Sequence, residues 1–172
     1  MKGSSGLSPN SELGTWNSEL FNMKFIVDLP LGGLAKWLRF CGFDAEIQRL
    51  APKAPQKLPA PLPGVYLLTR QRAFAGFKRE DLLILTAGDP EDQLQEVIRR
   101  LKITRGQLHL LSRCGQCNAP LALIPRDQAL GMVPEHVFHT QEQFHQCPSC
   151  AQVFWPGSHH QGIMARVLEK VE

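Results

Sequence analysis

Residues 23–42 read MKFIVDLPLGGLAKWLRFCG, and this stretch decides the fold. Its first six residues form an apolar run closed by a carboxylate, Asp28, as in a buried strand with a polar end. After Leu29-Pro30, the apolar residues Leu31, Leu34, Ala35, Leu38 and Cys41 recur at helical spacing. Lys36 and Arg39 fall off that stripe, and Gly42 supplies the stop. A strand followed at once by a helix opens an α/β unit.

Outward from this unit the same alternation continues. Residues 44–48 predict a second strand, and residues 65–69 (VYLLT) and 81–86 (DLLILT) two more of buried type. GDPEDQLQEVIRRL then starts a helix. Asp89 fits its N-cap, Pro90 its first helical position and Asp92 its third, with Leu94, Val97, Ile98 and Leu101 facing the core. Residues 50–64, LAPKAPQKLPAPLPG, carry five prolines and therefore form neither helix nor central strand. The fold class read from this pattern is α/β, a small parallel sheet with flanking helices. The alternation stops near residue 105. The boundary is placed within residues 105–113, giving a domain over 23–108 and a smaller module with a C-terminal tail over 109–172. Short β-type runs are expected in that module at residues 137–139 and 152–155. Residues 1–22 read as a disordered extension or tag ahead of a natural start at Met23.

The module carries two C-x-x-C knuckles, Cys114/Cys117 within RCGQCN and Cys147/Cys150 within QCPSC. Two thiolates at that spacing grip one metal from a tight turn, and two such turns complete a tetrahedron. A C-terminal zinc ribbon is expected, with structural zinc on Cys114, Cys117, Cys147 and Cys150. An iron site of rubredoxin type uses the same four thiolates. Cys41 lies on the helical stripe and reads as a buried thiol. His159 and His160, in PGSHHQ, read as groups around the module rather than as competing ligands.

Charge is +3 and unevenly spread: residues 24–72 hold eight Lys or Arg against Asp28, Asp44 and Glu46. That basic bias belongs to the N-terminal domain and is the electrostatic footprint of a nucleic-acid partner. No apolar run reaches the ~20 residues that span a bilayer. Residues 1–22 lack the apolar core of a signal peptide, so paired cysteines in a cytoplasmic, reducing setting point to metal.

Taken in order, MKFIVD, LGGLAKWLRFCGFDAE, LLTRQRAF, DPEDQLQEV, RCGQCNAPL and FHQCPSCAQVFWPGSHH resemble the Mut-seven C-terminal RNase domain family, PIN-like domains followed by a zinc ribbon. The resemblance implies a metal-dependent ribonuclease fold and an RNA-related role. Such nucleases gather three or four carboxylates at the carboxyl edge of the sheet, where Mg or Mn ions activate water. Carried over, Asp28 matches the first acid, and Asp89 and Asp44 are the remaining candidates. The acid-rich helix expected between the second and third strands is replaced here by residues 50–64. The expected Thr-Arg-Asp reads Thr69-Arg70-Gln71, and no Asp or Glu occurs from Ile47 to Arg79. A neutral amide cannot supply the charge a hard cation requires.

Three functions follow. The first is a PIN-like protein with a depleted nuclease centre that still binds RNA. Its phosphate contacts would be Lys36, Arg39, Arg70 and Arg72, with Lys53 and Lys57, and Trp37 or Phe40 would stack on bases. The second is an active nuclease built on Asp28, Asp89 and one further acid not evident from the sequence, and the third a protein-interaction adaptor.

Overall fold

The structure is a computed structural model that describes residues 23–157 and Ala165. Four parallel strands form the larger sheet: β1 (Lys24–Asp28), β2 (Asp44–Gln48), β3 (Val65–Thr69) and β4 (Leu82–Ile84). Their spatial order is β2-β1-β3-β4. The chain leaves β1 through helix α1 (Gly32–Phe40) to reach β2 on one side, then recrosses to β3 on the other. The carboxyl ends of β1 and β3 therefore flank the topological switch point, where open parallel sheets form their crevice.

Each element forms for a local reason. Every residue of the α1 stripe is buried, at 3% exposure for Leu31 and 0% for Leu34, Ala35, Leu38 and Cys41. At the helix end Phe43 N–H reaches Leu38 O at 3.0 Å and Gly42 N–H reaches Arg39 O at 2.9 Å. This is the paired Schellman closure, and it needs the φ of +95° that Gly42 adopts. A Cβ there would also strike His109 O at 2.4 Å. Helix α2 (Pro90–Leu101) starts on Asp89, whose carboxylate accepts from Glu91 N–H. The two helices approach closely at one point, since a Cβ on Gly33 would lie 2.7 Å from Pro90.

Apolar residues of β1, β3 and β4 meet both helices in one core, with Phe25, Leu68, Leu94 and Val97 among its members. The opposite face of the sheet packs Ile26 and Leu67 against Leu50 and Phe74. Between β2 and β3 the prolines leave only a 3-10 turn, Pro55–Lys57, as expected. Leu50, at the head of that loop, is 2% exposed and anchors it to the sheet.

The second sheet is antiparallel: β5 (Ala122–Ile124), β6 (Phe144–Gln146) and β7 (Val153–Phe154), in that order. One expectation fails here. Residues 137–139 belong to helix α3 (Glu135–Thr140) rather than a strand. Pro134 precedes the helix, and its carbonyl accepts from both Val137 and Phe138 N–H, so the turn closes despite the β-prone Val-Phe pair. Among the described residues no helix is long and apolar enough to cross a membrane. His159 and His160, like residues 1–22, lie outside the described residues.

Candidate functional site

Asp28 ends β1 at the switch point and is 2% exposed. Both of its carboxylate oxygens are engaged. Oδ1 accepts from Leu29 N–H at 3.0 Å and Leu50 N–H at 3.1 Å. Oδ2 accepts from the Thr69 hydroxyl at 2.6 Å and from Gln71 Nε2 at 2.7 Å. The same Gln71 nitrogen donates to Leu50 O at 2.9 Å, so one side chain joins β1, the proline-rich loop and the end of β3. Four donors thus satisfy the buried carboxyl group within the protein itself.

A crevice of about 470 Å³ opens beside this cluster, lined by Asp28, Pro30, Arg49, Lys53 and Gln71 among others. Arg70 and Arg72 are exposed on either side of Gln71, and neither forms an ion pair among the described residues. Asp89 does not line this crevice, and its carboxylate serves α2 as an N-cap. Asp44 begins β2 and so lies at the opposite, amino edge of the sheet, where Asn118 Nδ2 donates to it at 2.6 Å.

The four knuckle thiols come together. Their sulfurs all lie within 4.8 Å of one another, with Cys114–Cys150 at 3.6 Å and Cys117–Cys147 at 3.3 Å. A tetrahedral metal with bonds of about 2.3 Å to sulfur has sulfur–sulfur edges near 3.8 Å. The two knuckles are built alike. Asn118 N–H bonds Cys114 O at 3.0 Å, and Ala151 N–H bonds Cys147 O at 2.9 Å. Cys114 N–H bonds Ala119 O at 2.8 Å, and Cys147 N–H bonds Gln152 O at 2.9 Å. The residue after each second cysteine is left-handed, Asn118 at φ 67° and Ala151 at φ 59°.

Each turn aims backbone N–H groups at its first sulfur, from Gln116 and Cys117 toward Cys114 and from Ser149 and Cys150 toward Cys147. Burial opposes ionisation at both cysteines. It pushes Cys114 up to about 12, while at Cys147 the N–H groups and neighbouring thiols win and hold the thiol down to about 6. A donor set of four thiols with N–H support fits a structural metal site. Zinc bound there by four thiolates would carry a net charge of about −2, with all four tetrahedral positions filled. Among the described residues this is also the one group of three or more Cys, His, Asp or Glu placed to hold a metal.

The family description of the Mut7-C RNAse domain matches residues 23–167, covering the parallel sheet and the cysteine cluster together. The chain belongs to this family. No curated protein and no solved structure matches it.

Within this Mut7-C RNAse domain, one expected phosphate contact has another task. Arg39 is 6% exposed, and its guanidinium donates to Ala45 O at 2.7 and 2.9 Å, to Gly115 O at 3.1 Å and to Gln116 O at 2.8 Å. Those last two carbonyls belong to the first knuckle. Burial lowers the Arg39 pKa, while the charge of Cys114, Cys117 and Asp44 opposes that shift. Arg39 therefore clamps the metal module to the sheet and places a positive charge beside its thiolates. Asn118 adds to the clamp by accepting from Ala45 N–H at 3.2 Å. Off-stripe position alone could not separate Arg39 from Lys36, which is exposed. Cys41 is buried and its thiol is pushed up to about 12, so it behaves as core.

Glu96 escaped the sequence reading. Its Oε2 accepts from Thr86 N–H at 2.9 Å and Ala87 N–H at 3.1 Å, fixing the loop that delivers Asp89. Its position on the buried side of α2 was the available signal.

Proposed function

We propose that this chain binds RNA through the carboxyl edge of its parallel sheet, and that the metal-dependent nuclease centre there is depleted. The observation that carries the reading is Gln71 bonded to Asp28. A divalent ion would have to displace both the Gln71 amide and the Thr69 hydroxyl from Oδ2, and would then find a single carboxylate. Hard cations of this kind are held by several oxygens and oriented by them.

The RNA half of the proposal rests on charge. The acid-free stretch of residues 47–79 supplies Arg49 and Lys53 to the crevice lining, and the exposed Arg70 and Arg72 flank its Gln71 in the chain. A phosphodiester strand satisfies such a surface and releases counterions as it binds. The zinc ribbon holds the fold, with Cys114, Cys117, Cys147 and Cys150 as ligands, and takes no part in chemistry because all four positions of a tetrahedral ion are filled.

The test is a salt titration of single-stranded RNA binding. For each phosphate contacted, log affinity falls by about 0.7 per unit of log salt. Reversing Arg70 and Arg72 to Glu should flatten that slope by about one phosphate each and weaken binding for all sequences alike. Affinity indifferent to salt, or untouched by the double reversal, would contradict the assigned face.

A further inference from the structure

A second concavity, of about 510 Å³, runs between α1 and the end of the ribbon. Lys36, Trp37 and Phe40 line it from the helix, and Val153, Phe154 and Trp155 line it from β7 and the residue beyond. Both indoles are half-buried, so each keeps part of its ring surface open. Gly157 sits against Trp155, where a Cβ would come within 2.9 Å of the indole nitrogen, so the ring's position is fixed by a close backbone turn. No lining residue is acidic. Lys36 is the one charged group on the lining, exposed and without a carboxylate partner among the described residues, with Nζ 5.7 Å from the centre of the Phe40 ring.

The groove and the crevice draw on neighbouring stretches of chain: Pro30, in the 3-10 turn before α1, lines the crevice, and Gly33, in the first turn of α1, lines the groove. We infer that the groove is a base-stacking subsite, in which an unpaired nucleobase lies against Trp37 and Trp155 while Lys36 meets the adjoining phosphate. The inference rests on the RNA-binding reading above and extends it from phosphate contact to base contact. An apolar peptide would also fill the groove. It would leave Lys36 unused, whereas a nucleic acid strand uses aromatic faces and cations together.

The test uses the full-length, zinc-loaded protein and two strands of equal phosphate number, oligoadenylate and its abasic counterpart. Stacking of one base strengthens binding by about tenfold. The expected result is oligoadenylate binding about tenfold tighter than the abasic strand, with equal salt slopes. Tryptophan fluorescence should change only with the strand that carries bases, and Trp37→Phe and Trp155→Phe assign that change. Trp155→Leu should reduce the preference for bases while abasic binding stays unchanged. Equal affinities with unmoved fluorescence would overturn the stacking subsite and leave the RNA reading intact. Absence of salt-sensitive binding to either strand would overturn both. A fluorescence response to an apolar, proline-rich peptide and not to RNA would reassign the groove to a protein partner and overturn the inference.

Discussion

Gln71 Nε2 lies 2.7 Å from Asp28 Oδ2 and 2.9 Å from Leu50 O, so a neutral amide occupies the space beside the carboxylate where a cation would bind. Four donors from three segments meet the buried Asp28 carboxyl group. This closure makes Asp28 a keystone of the switch point.

Gln71→Asp should therefore destabilise the fold in the absence of Mn, by about 1–3 kcal/mol, because it orphans Leu50 O and sets two carboxylates together. Added Mn should raise the melting temperature of this variant and leave wild type unchanged. The measurement is thermal unfolding of both proteins with and without Mn.

Arg39 predicts that the ribbon and the sheet unfold together. Its removal in Arg39→Ala leaves Gly115 O, Gln116 O and Ala45 O without their donor, at a cost of about 2 kcal/mol or more. Lysine cannot reproduce the fork, so Arg39→Lys should recover only part of the loss. Zinc should leave both variants faster than wild type when challenged with a chromogenic chelator. A release rate equal to wild type would show that the clamp does not reach the metal.

Ala151 holds a left-handed conformation at φ 59°, where its counterpart in the first knuckle is Asn118. Alanine is strained there and asparagine tolerates it. Ala151→Asn should stabilise the zinc-bound protein by about 0.5–1 kcal/mol, read as a higher denaturation midpoint at unchanged slope.

Asp81 should contribute to acid sensitivity. Arg79 Nε donates to Asp81 Oδ1 at 3.0 Å, and that bond holds the carboxyl below its usual range even though partial burial opposes it. The resulting stabilisation is present above the unfolded carboxyl value of about 4 and is lost as pH falls through the lowered folded value. Asp81→Asn should be less stable than wild type at neutral pH and should lose less on acidification. Unfolding midpoints compared at neutral and acidic pH report the difference.

Much of this was legible in the chain itself. The α1 stripe, the Asp89-Pro90 helix start, the prolines between β2 and β3 and the paired knuckles are all local signals, and local structure obeys them. Gln71 was legible as a missing charge, but not as a donor to Asp28, because that contact closes across 43 positions of sequence. Arg39 was misread for the same reason: its knuckle partners lie 76 and 77 positions away. Helical spacing says that a residue leaves the core stripe. It does not say what second module will dock there.

We propose that this Mut7-C RNAse domain retains Asp28 for structure and lacks the further carboxylates that a nuclease centre requires. The most direct measurement is Mn-dependent cleavage of single-stranded RNA by highly purified wild-type protein beside Asp28→Asn, with zinc content checked in both. The account predicts little cleavage, equal in the two proteins and unaltered by Mn. Robust Mn-dependent turnover in wild type that vanishes in Asp28→Asn would contradict it.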